Sequence, residues 1–265
     1  IYPVVGGFRM VAGKKGFFDG KPEAFSMEES EHAYIIRSKE HEMILQKETL
    51  EISIDRKAIT NLKNISFIFE KESVSASRIQ FSIHENSAIY GFGERFDSVN
   101  QYGKTVALWQ RDACEGCLAS IGNQAYKNIP LVHTSDGFSF FANTSYRMRM
   151  DVGDAVQDYL SVEALGDVFD FYIWSGTPRE AMTAYGTLTG LPIFPPEWVF
   201  EPWAGGGGGR WRNGPLQDIA LEQMAAMKKF HELDIPHSGF YAEGAGATFY
   251  GEYKKEELYK VVSFG

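Results

Sequence analysis

SGTPREAMTAYGTLTGLPIFPPEWVFEPW, residues 175–203, is where the chain changes rhythm. Thr177-Pro178-Arg179-Glu180 sets out a helix start: Thr177 as N-cap, a proline in the first turn, and a glutamate placed to complete a capping box. An Ala/Met/Tyr helix follows and ends near Gly190. Leu191-Pro192-Ile193-Phe194-Pro195-Pro196 is too rich in proline for a helix or a central strand and reads as an extended connector. Residues 1–190 are assigned to one domain with a closing helix, 191–197 to the connector and 198–265 to a second unit.

Upstream, from about residue 31 to 175, short β-like runs alternate with polar or glycine punctuation: ISFIFE, SRIQFSIHE, SAIYGFGE, GFSFFANTS, YRMRMDVG, DYLSVEAL and DVFDFYIW. This is the rhythm of a β-sandwich. Ile65, Phe67 and Phe69 alternate with Asn64, Ser66, Ile68 and Glu70, and Phe169, Phe171 and Ile173 with Asp170 and Tyr172. Both patterns predict strands with one face on a core.

Downstream, Trp198-Val-Phe-Glu-Pro-Trp203 reads as a short buried strand followed by a loop, Ala204 to Gly214. Pro215 opens a helix whose apolar positions Ile219, Met224, Met227, Phe230 and Leu233 fall near helical spacing and predict core packing. Pro236 stops it, and His237 to Glu243 supplies a second strand. A β-α-β unit demands a parallel sheet, and a parallel sheet needs more than two strands. The expected architecture is a β-sandwich followed by the opening of a parallel α/β barrel that 265 residues leave incomplete.

With 35 acidic against 26 basic residues the net charge is -9, and no Lys/Arg cluster is dense enough for a phosphate-binding face. Nucleic acid and anionic membrane are poor partners. No apolar run approaches the ~20 residues of a spanning helix, and IYPVVGGFRM lacks the charged and apolar regions of an export signal. Cys114 and Cys117 form one CEGC tetrapeptide without a second ligand pair, so plain thiols are expected, with no metal and no cofactor. Two cysteines fit a reducing, cytoplasmic compartment. Asn64-Ile-Ser66 and Asn143-Thr-Ser145 read as chance glycosylation patterns.

The run Gly205 to Gly209 first reads as a phosphate cradle. A P-loop needs Lys-Ser/Thr next, and this chain has Arg210-Trp211. A bent loop that lets backbone approach a ligand is the better reading. In parallel barrels the loops after the strands form the active-site face. Glu201 and Glu243 are read near the C-terminal ends of two consecutive strands, with Trp203 and Trp211 as flat surfaces for sugar rings. Against this stands a structural reading in which Glu201 pairs with Arg210 or Arg212. In the sandwich, Glu94-Arg95 reads as a buried ion pair fixing a bend. Asp112 heads a long irregular stretch, about 115 to 127, that reads as a loop reaching outward.

YGFGERF (90–96), LWQRDA (108–113), NQAYKNIPLVHTSDGFSFFAN (123–143), FDFYIWSGTPREAMTAYGTLTGLPIFPPEW (169–198) and RW (210–211) together resemble family 31 of the glycoside hydrolases, the α-glucosidase and α-xylosidase family. The resemblance implies an N-terminal β-sandwich, a (β/α)8 TIM barrel and further β domains. It implies a retaining α-glycosidase with a nucleophile and an acid/base, both aspartates, on later barrel strands. Only 69 residues follow Pro196, against about 250 for a whole barrel, so both are expected after Gly265 and no catalytic residue is expected in this chain. Asp112 resembles the aspartate on a sandwich loop that reaches the bound sugar, Glu243 the acid that binds sugar hydroxyls, and Arg210 and Trp211 the lining after the first strand. The implied partners are an α-linked oligosaccharide or glycoside and the rest of the barrel, in cis or as a second polypeptide; a homo-oligomer is compatible with the sequence. Five consecutive glycines, Glu201 in place of a small residue, and YAEGAG (241–246) in place of the family's Asp-Ile-Asp-Tyr-Met depart from the pattern and leave the sugar open. A non-catalytic carbohydrate-binding module accounts for the sandwich but not for the β-α-β unit. A lyase or transglycosidase on the same scaffold stays open.

Overall fold

A computed structural model describes residues 1–13, 16–110, 125–206 and 216–242. The chain divides into two compact units, Ile1–Pro192 and Ile193–Gly265. In the first, a six-stranded sheet runs in the order Tyr2–Val4, Gly7–Gly13, Val168–Ser175, Phe138–Ala142, Asn128–Thr134, Ile89–Gly93. A nine-stranded sheet runs from Lys104–Leu108 through Met148–Val152, Tyr159–Leu165, Ser73–Ser82 and Lys57–Glu70 to four shorter strands, ending at Ser26–Glu29. Every strand pair in the two sheets is antiparallel.

The inner faces meet through aromatic rings. Phe81 of the larger sheet stacks on Phe140 at 5.0 Å and meets Phe171 edge-on at 5.7 Å, and aliphatic residues of both sheets fill in around them. A second apolar cluster covers the other face of the six-stranded sheet. Val4, Leu131, Phe141, Tyr172 and Trp174 pack there with Ala181 and Ala184 of the helix Pro178–Thr189. That helix starts as its sequence demands: Thr177 N–H donates to Glu180 Oε2 at 2.8 Å and Glu180 N–H to Thr177 Oγ1 at 3.3 Å. Glu180 is held below the usual carboxylate range by these bonds from the Thr177 backbone and side chain.

Two core expectations are corrected. Ile65 and Phe69 are exposed, 43% and 62%. The hairpin that carries them slips register twice, between Lys63/Ser66 and Ile68/Phe69, and these slips break the simple inward-outward alternation. Strand Val168–Ser175 alternates in residue type but is buried on both faces, because the helix covers one face and the larger sheet the other.

Asp170 is the polar residue in that buried strand. Arg9, wholly buried, donates Nε to Asp170 Oδ1 at 2.8 Å and Nη2 to Oδ2 at 2.6 Å. Gly16 N–H and Asn143 Nδ2 donate to Oδ2 at 2.7 and 2.8 Å. Arg9 Nη1 reaches Asp19 at 2.5 Å, and its guanidinium lies 5.1 Å from the Tyr172 ring centre. Burial pulls the Arg9 pKa down, but the bonds to Asp170 and Asp19 outweigh it and raise the value. Asn143 also holds Phe18 through its backbone N–H and O. With its side chain buried and its amide committed, Asn143 cannot accept a glycan in the folded chain.

The second unit differs in detail from its expected form. Glu197–Phe200 is a 3-10 turn, and the first strand is Trp203–Gly206. Val199 N–H donates to Pro196 O at 3.0 Å, closing the turn, and Pro202 has no N–H to give to a ladder. Helix Leu216–Glu232 leads to the second strand, Gly239–Ala242, which pairs in parallel with the first. The helix residues Met224 and Leu233, expected in a core, are 52% and 57% exposed.

Breaking the Arg9–Asp170 pair leaves a buried guanidinium without its counter-charge. Asp170→Asn is expected to lower the unfolding free energy of the sandwich by about 3–5 kcal/mol, read by urea denaturation; a loss below 1 kcal/mol contradicts this assignment.

Candidate functional site

The sandwich presents a candidate site around Gln110 and Ala125. Tyr90-Gly-Phe-Gly-Glu-Arg95 builds the base. Gly91, Phe92 and Gly93 have φ of +113°, +66° and +81°, a run that two glycines make affordable. A Cβ on Gly91 would lie 2.2 Å from Leu131 O, and one on Gly93 2.0 Å from Lys127 O. This close approach lets Glu94 N–H donate to Lys127 O at 2.8 Å. The pairing of Ile89–Gly93 with Asn128–Thr134 shifts register between Asn128 and Val132, which turns Asn128 toward the loop's two ends.

Asn128 is the hub. Its Oδ1 accepts from Arg95 Nη2 at 2.6 Å, and its Nδ2 donates to Gln110 Oε1 at 3.1 Å and Ala125 O at 2.9 Å. Gln110 and Ala125, on either side of the segment, form a parallel β-bridge. Arg95 also donates to Phe92 O at 3.1 Å. The expected Glu94–Arg95 pair is therefore corrected: Glu94 faces Lys127 at 3.8 Å, and Arg95 braces the loop base. Arg95 Nε and Nη1 are buried without a hydrogen-bond partner, and burial lowers the guanidinium pKa while nearby Asp97 opposes the shift.

Beside this base lies a cavity of about 470 Å³ lined by Trp109, Gln110, Asn128, Phe141, Tyr146 and Tyr185, among others. Trp109 and Tyr146 are about half exposed. Flat rings next to amide groups suit a ligand with apolar faces and a hydroxylated edge. The turn leading toward Trp109 is fixed by Asp97. Its burial alone would raise its pKa, but Lys104 Nζ at 2.7 Å, Gln101 Nε2 at 3.0 Å and Ser98 N–H at 2.7 Å outweigh that and hold it at about 2.

Of the site residues read from the sequence, Asp112, Arg210, Trp211 and Glu243 lie outside the described residues, as do Cys114 and Cys117. Glu201 and Trp203 are placed, and their expected position is corrected. Trp203 opens its strand and Glu201 precedes it, so both stand at the N-terminal end of the parallel pair. The cause is the 3-10 turn at 197–200, which delays the strand. Glu201 accepts from the Ser238 hydroxyl, beside Ser238 N–H to Pro202 O at 2.9 Å; Arg210 and Arg212, its alternative partners, lie outside the described residues. Trp203 Nε1 donates to Val199 O at 3.1 Å and its ring meets Trp198 at 5.5 Å. Gly205 and Gly206, read as loop, are strand residues opposite Tyr241 and Ala242. Among the described residues no group of His, Cys, Asp and Glu is arranged to hold a metal, and no helix is long and apolar enough to cross a membrane.

The first unit is a mostly antiparallel β-sandwich domain, and residues 16–151 match the glycosyl hydrolase 31 N-terminal galactose mutarotase-like domain. The chain belongs to glycosyl hydrolase family 31. It is 34% identical over 166 residues to the α-xylosidase XylQ of Lactiplantibacillus pentosus, covering 62% of this chain and 21% of that protein. It is 24% identical over 226 residues to α-glucosidase 2 of Bacillus thermoamyloliquefaciens, covering 82% and 27%. The cycloalternan-forming enzyme from Listeria monocytogenes, solved with a pentasaccharide substrate, superposes with a TM-score of 0.70 at 20% identity, over 88% of this chain and 23% of that one. The chain thus spans about a fifth to a quarter of the length of these relatives.

Asn128→Ala removes both bonds to the loop ends and strips Arg95 of its side-chain acceptor. A loss of about 1–3 kcal/mol is expected, with faster proteolytic cleavage within 111–124; unchanged cleavage contradicts the hub role. Asp97 titrates lower in the folded chain than its ordinary 3.8. Its contribution is therefore present above about pH 4 and lost as pH falls toward 2. The stability gap between wild type and Asp97→Asn should be constant from about pH 5 to 7 and close below about pH 4; a gap that widens on acidification contradicts the assignment.

Proposed function

We propose that the full-length protein is a retaining α-glycosidase acting on α-linked glucosides or xylosides. Membership of family 31 carries this reading, together with 34% identity to an α-xylosidase. The parallel strands Trp203–Gly206 and Gly239–Ala242 with their intervening helix are the first β-α-β unit of a (β/α)8 barrel. The exposed Phe194, Phe200, Met224 and Leu233 support it, since further barrel elements would cover such apolar surface.

Arg210 and Trp211 come shortly after the first strand and Glu243 directly after the second, where a barrel builds its pocket. In this proposal Arg210, Trp211 and Glu243 bind sugar in the second unit, and Asp112, two residues after Gln110, is a further sugar-binding residue. The reaction itself belongs to two aspartates on later strands: one attacks the anomeric carbon, the other protonates the leaving oxygen and then activates water, so configuration is kept. The sandwich contributes binding and orientation, which raise the rate only as far as they favour the transition state.

Assayed on a panel of nitrophenyl α-glycosides, the full-length enzyme is expected to release nitrophenol from the α-xyloside or α-glucoside and to give the α-anomer first by NMR. Absence of turnover on every α-linked sugar, or a β-anomer as first product, would overturn the proposal.

A further inference from the structure

The outer face of the nine-stranded sheet carries a hollow that the glycosidase reading does not use. Three neighbouring strands place their outward residues in two rows. Arg78, Glu163 and Arg149 stand side by side across one row, and Gln80, Ser161 and Asp151 across the next. The intervening residues Ile79, Val162 and Met150 are buried, so both rows face solvent. The turn that follows Asp151 rises as a wall. Asp151 Oδ1 accepts from the N–H groups of Asp154 and Ala155 at 3.0 and 3.2 Å and holds the turn in place. The wall converts a flat sheet face into a depression of about 210 Å³.

The chemistry inside it is balanced and open. Arg78 and Arg149 face Asp151 and Glu163, so the hollow has no net charge to select an ion. Arg78 donates to Glu163 Oε2 twice, through Nε at 3.0 Å and through Nη2. Glu163 Oε1 is left to accept. Arg149 makes one long bond, to Thr105 Oγ1 at 3.5 Å, which leaves its other N–H groups for a ligand. The hydroxyls of Ser161 and Tyr159 line the same space, with Val156 and the Tyr159 ring as its apolar side.

A neutral ligand with hydroxyls on its edge and C–H groups on its face matches this set: each hydroxyl both donates to Glu163 and accepts from Arg149 or Ser161, and the C–H face rests on Tyr159. The volume lies below the roughly 300 Å³ at which pockets for drug-sized ligands begin, which suits a single pyranose ring with its chain extending into solvent. We infer that this hollow is a saccharide-binding site that holds one ring of a glycan on the sandwich. The inference goes beyond the proposed hydrolysis and does not require it.

Hydrogen exchange of the full-length protein, with and without saturating methyl α-D-glucopyranoside or methyl α-D-xylopyranoside, reads the site directly. At least one of these sugars should slow exchange in residues 153–158, while inorganic phosphate should not. Glu163→Gln and Arg149→Ala each remove a bond to a charged group. Each should weaken the sugar effect by about tenfold or more, with unchanged melting temperature and unchanged KM for hydrolysis. The inference falls if neither sugar protects 153–158, if protection survives both substitutions, or if phosphate protects the same residues, which would make this an anion site. Loss of hydrolysis with protection intact would count against the glycosidase proposal alone.

Discussion

A buried guanidinium and carboxylate tie two neighbouring strands of the six-stranded sheet to the segment that covers them, residues 16–20. Arg9 and Asp170 lie on adjacent strands of the six-stranded sheet, and the carboxylate receives four donors: two from Arg9, one from Gly16 and one from Asn143. Taking two charges out of water costs several kcal/mol each, and only complete hydrogen bonding offsets it. Here the bonding is complete enough to recruit neighbours. Through Asn143 and the Tyr172 hydroxyl the pair also orders residues 16–20, since Tyr172 donates to Phe18 O and accepts from Gly20 N–H, both at 2.9 Å. An apolar pair would pack as well in that space, but it would not choose this strand register or fix this loop.

The consequence for function passes along the sheet. Val168–Ser175 pairs with Phe138–Ala142, which pairs with Asn128–Thr134, which pairs with Ile89–Gly93. Asn128 opens one of the last two strands and bonds Gln110 and Ala125, while Arg95, two residues past the other strand, bonds Asn128. The buried charge pair and the residues that bond the Gln110–Ala125 bridge thus stand on one continuous run of paired strands. Chain ends that are already bonded in the free protein spare a ligand-binding segment part of the ordering cost of binding.

Much of this was legible in the sequence, and what was not has a common cause. The capping box at Thr177–Glu180, the strand rhythm and the β-α-β order are local signals, written within a few residues. The strands Tyr2–Val4 and Gly7–Gly13 are not: Arg9 meets Tyr172 across some 160 residues, and no periodicity announces such a pairing. Asp170 read as an outward residue because alternation cannot tell solvent from a second buried layer. A charge inside FDFYIW was itself the clue, since a buried carboxylate requires a partner. The Trp198–Trp203 run misled for another reason. Its aromatic content suits a strand, yet Pro196 and Pro202 bracket a turn that moves the strand forward and carries Glu201 and Trp203 to its opposite end. The asparagine hub at residue 128 gave no signal apart from the family resemblance around it.

The proposed function assigns Asp112, two residues after Gln110, to binding the sugar. Steady-state kinetics of Asp112→Asn in the full-length enzyme test it most directly. The expected result is a kcat/KM lowered by at least about tenfold with the melting temperature unchanged. Wild-type kinetics in that variant, or a parallel loss of stability, would contradict it.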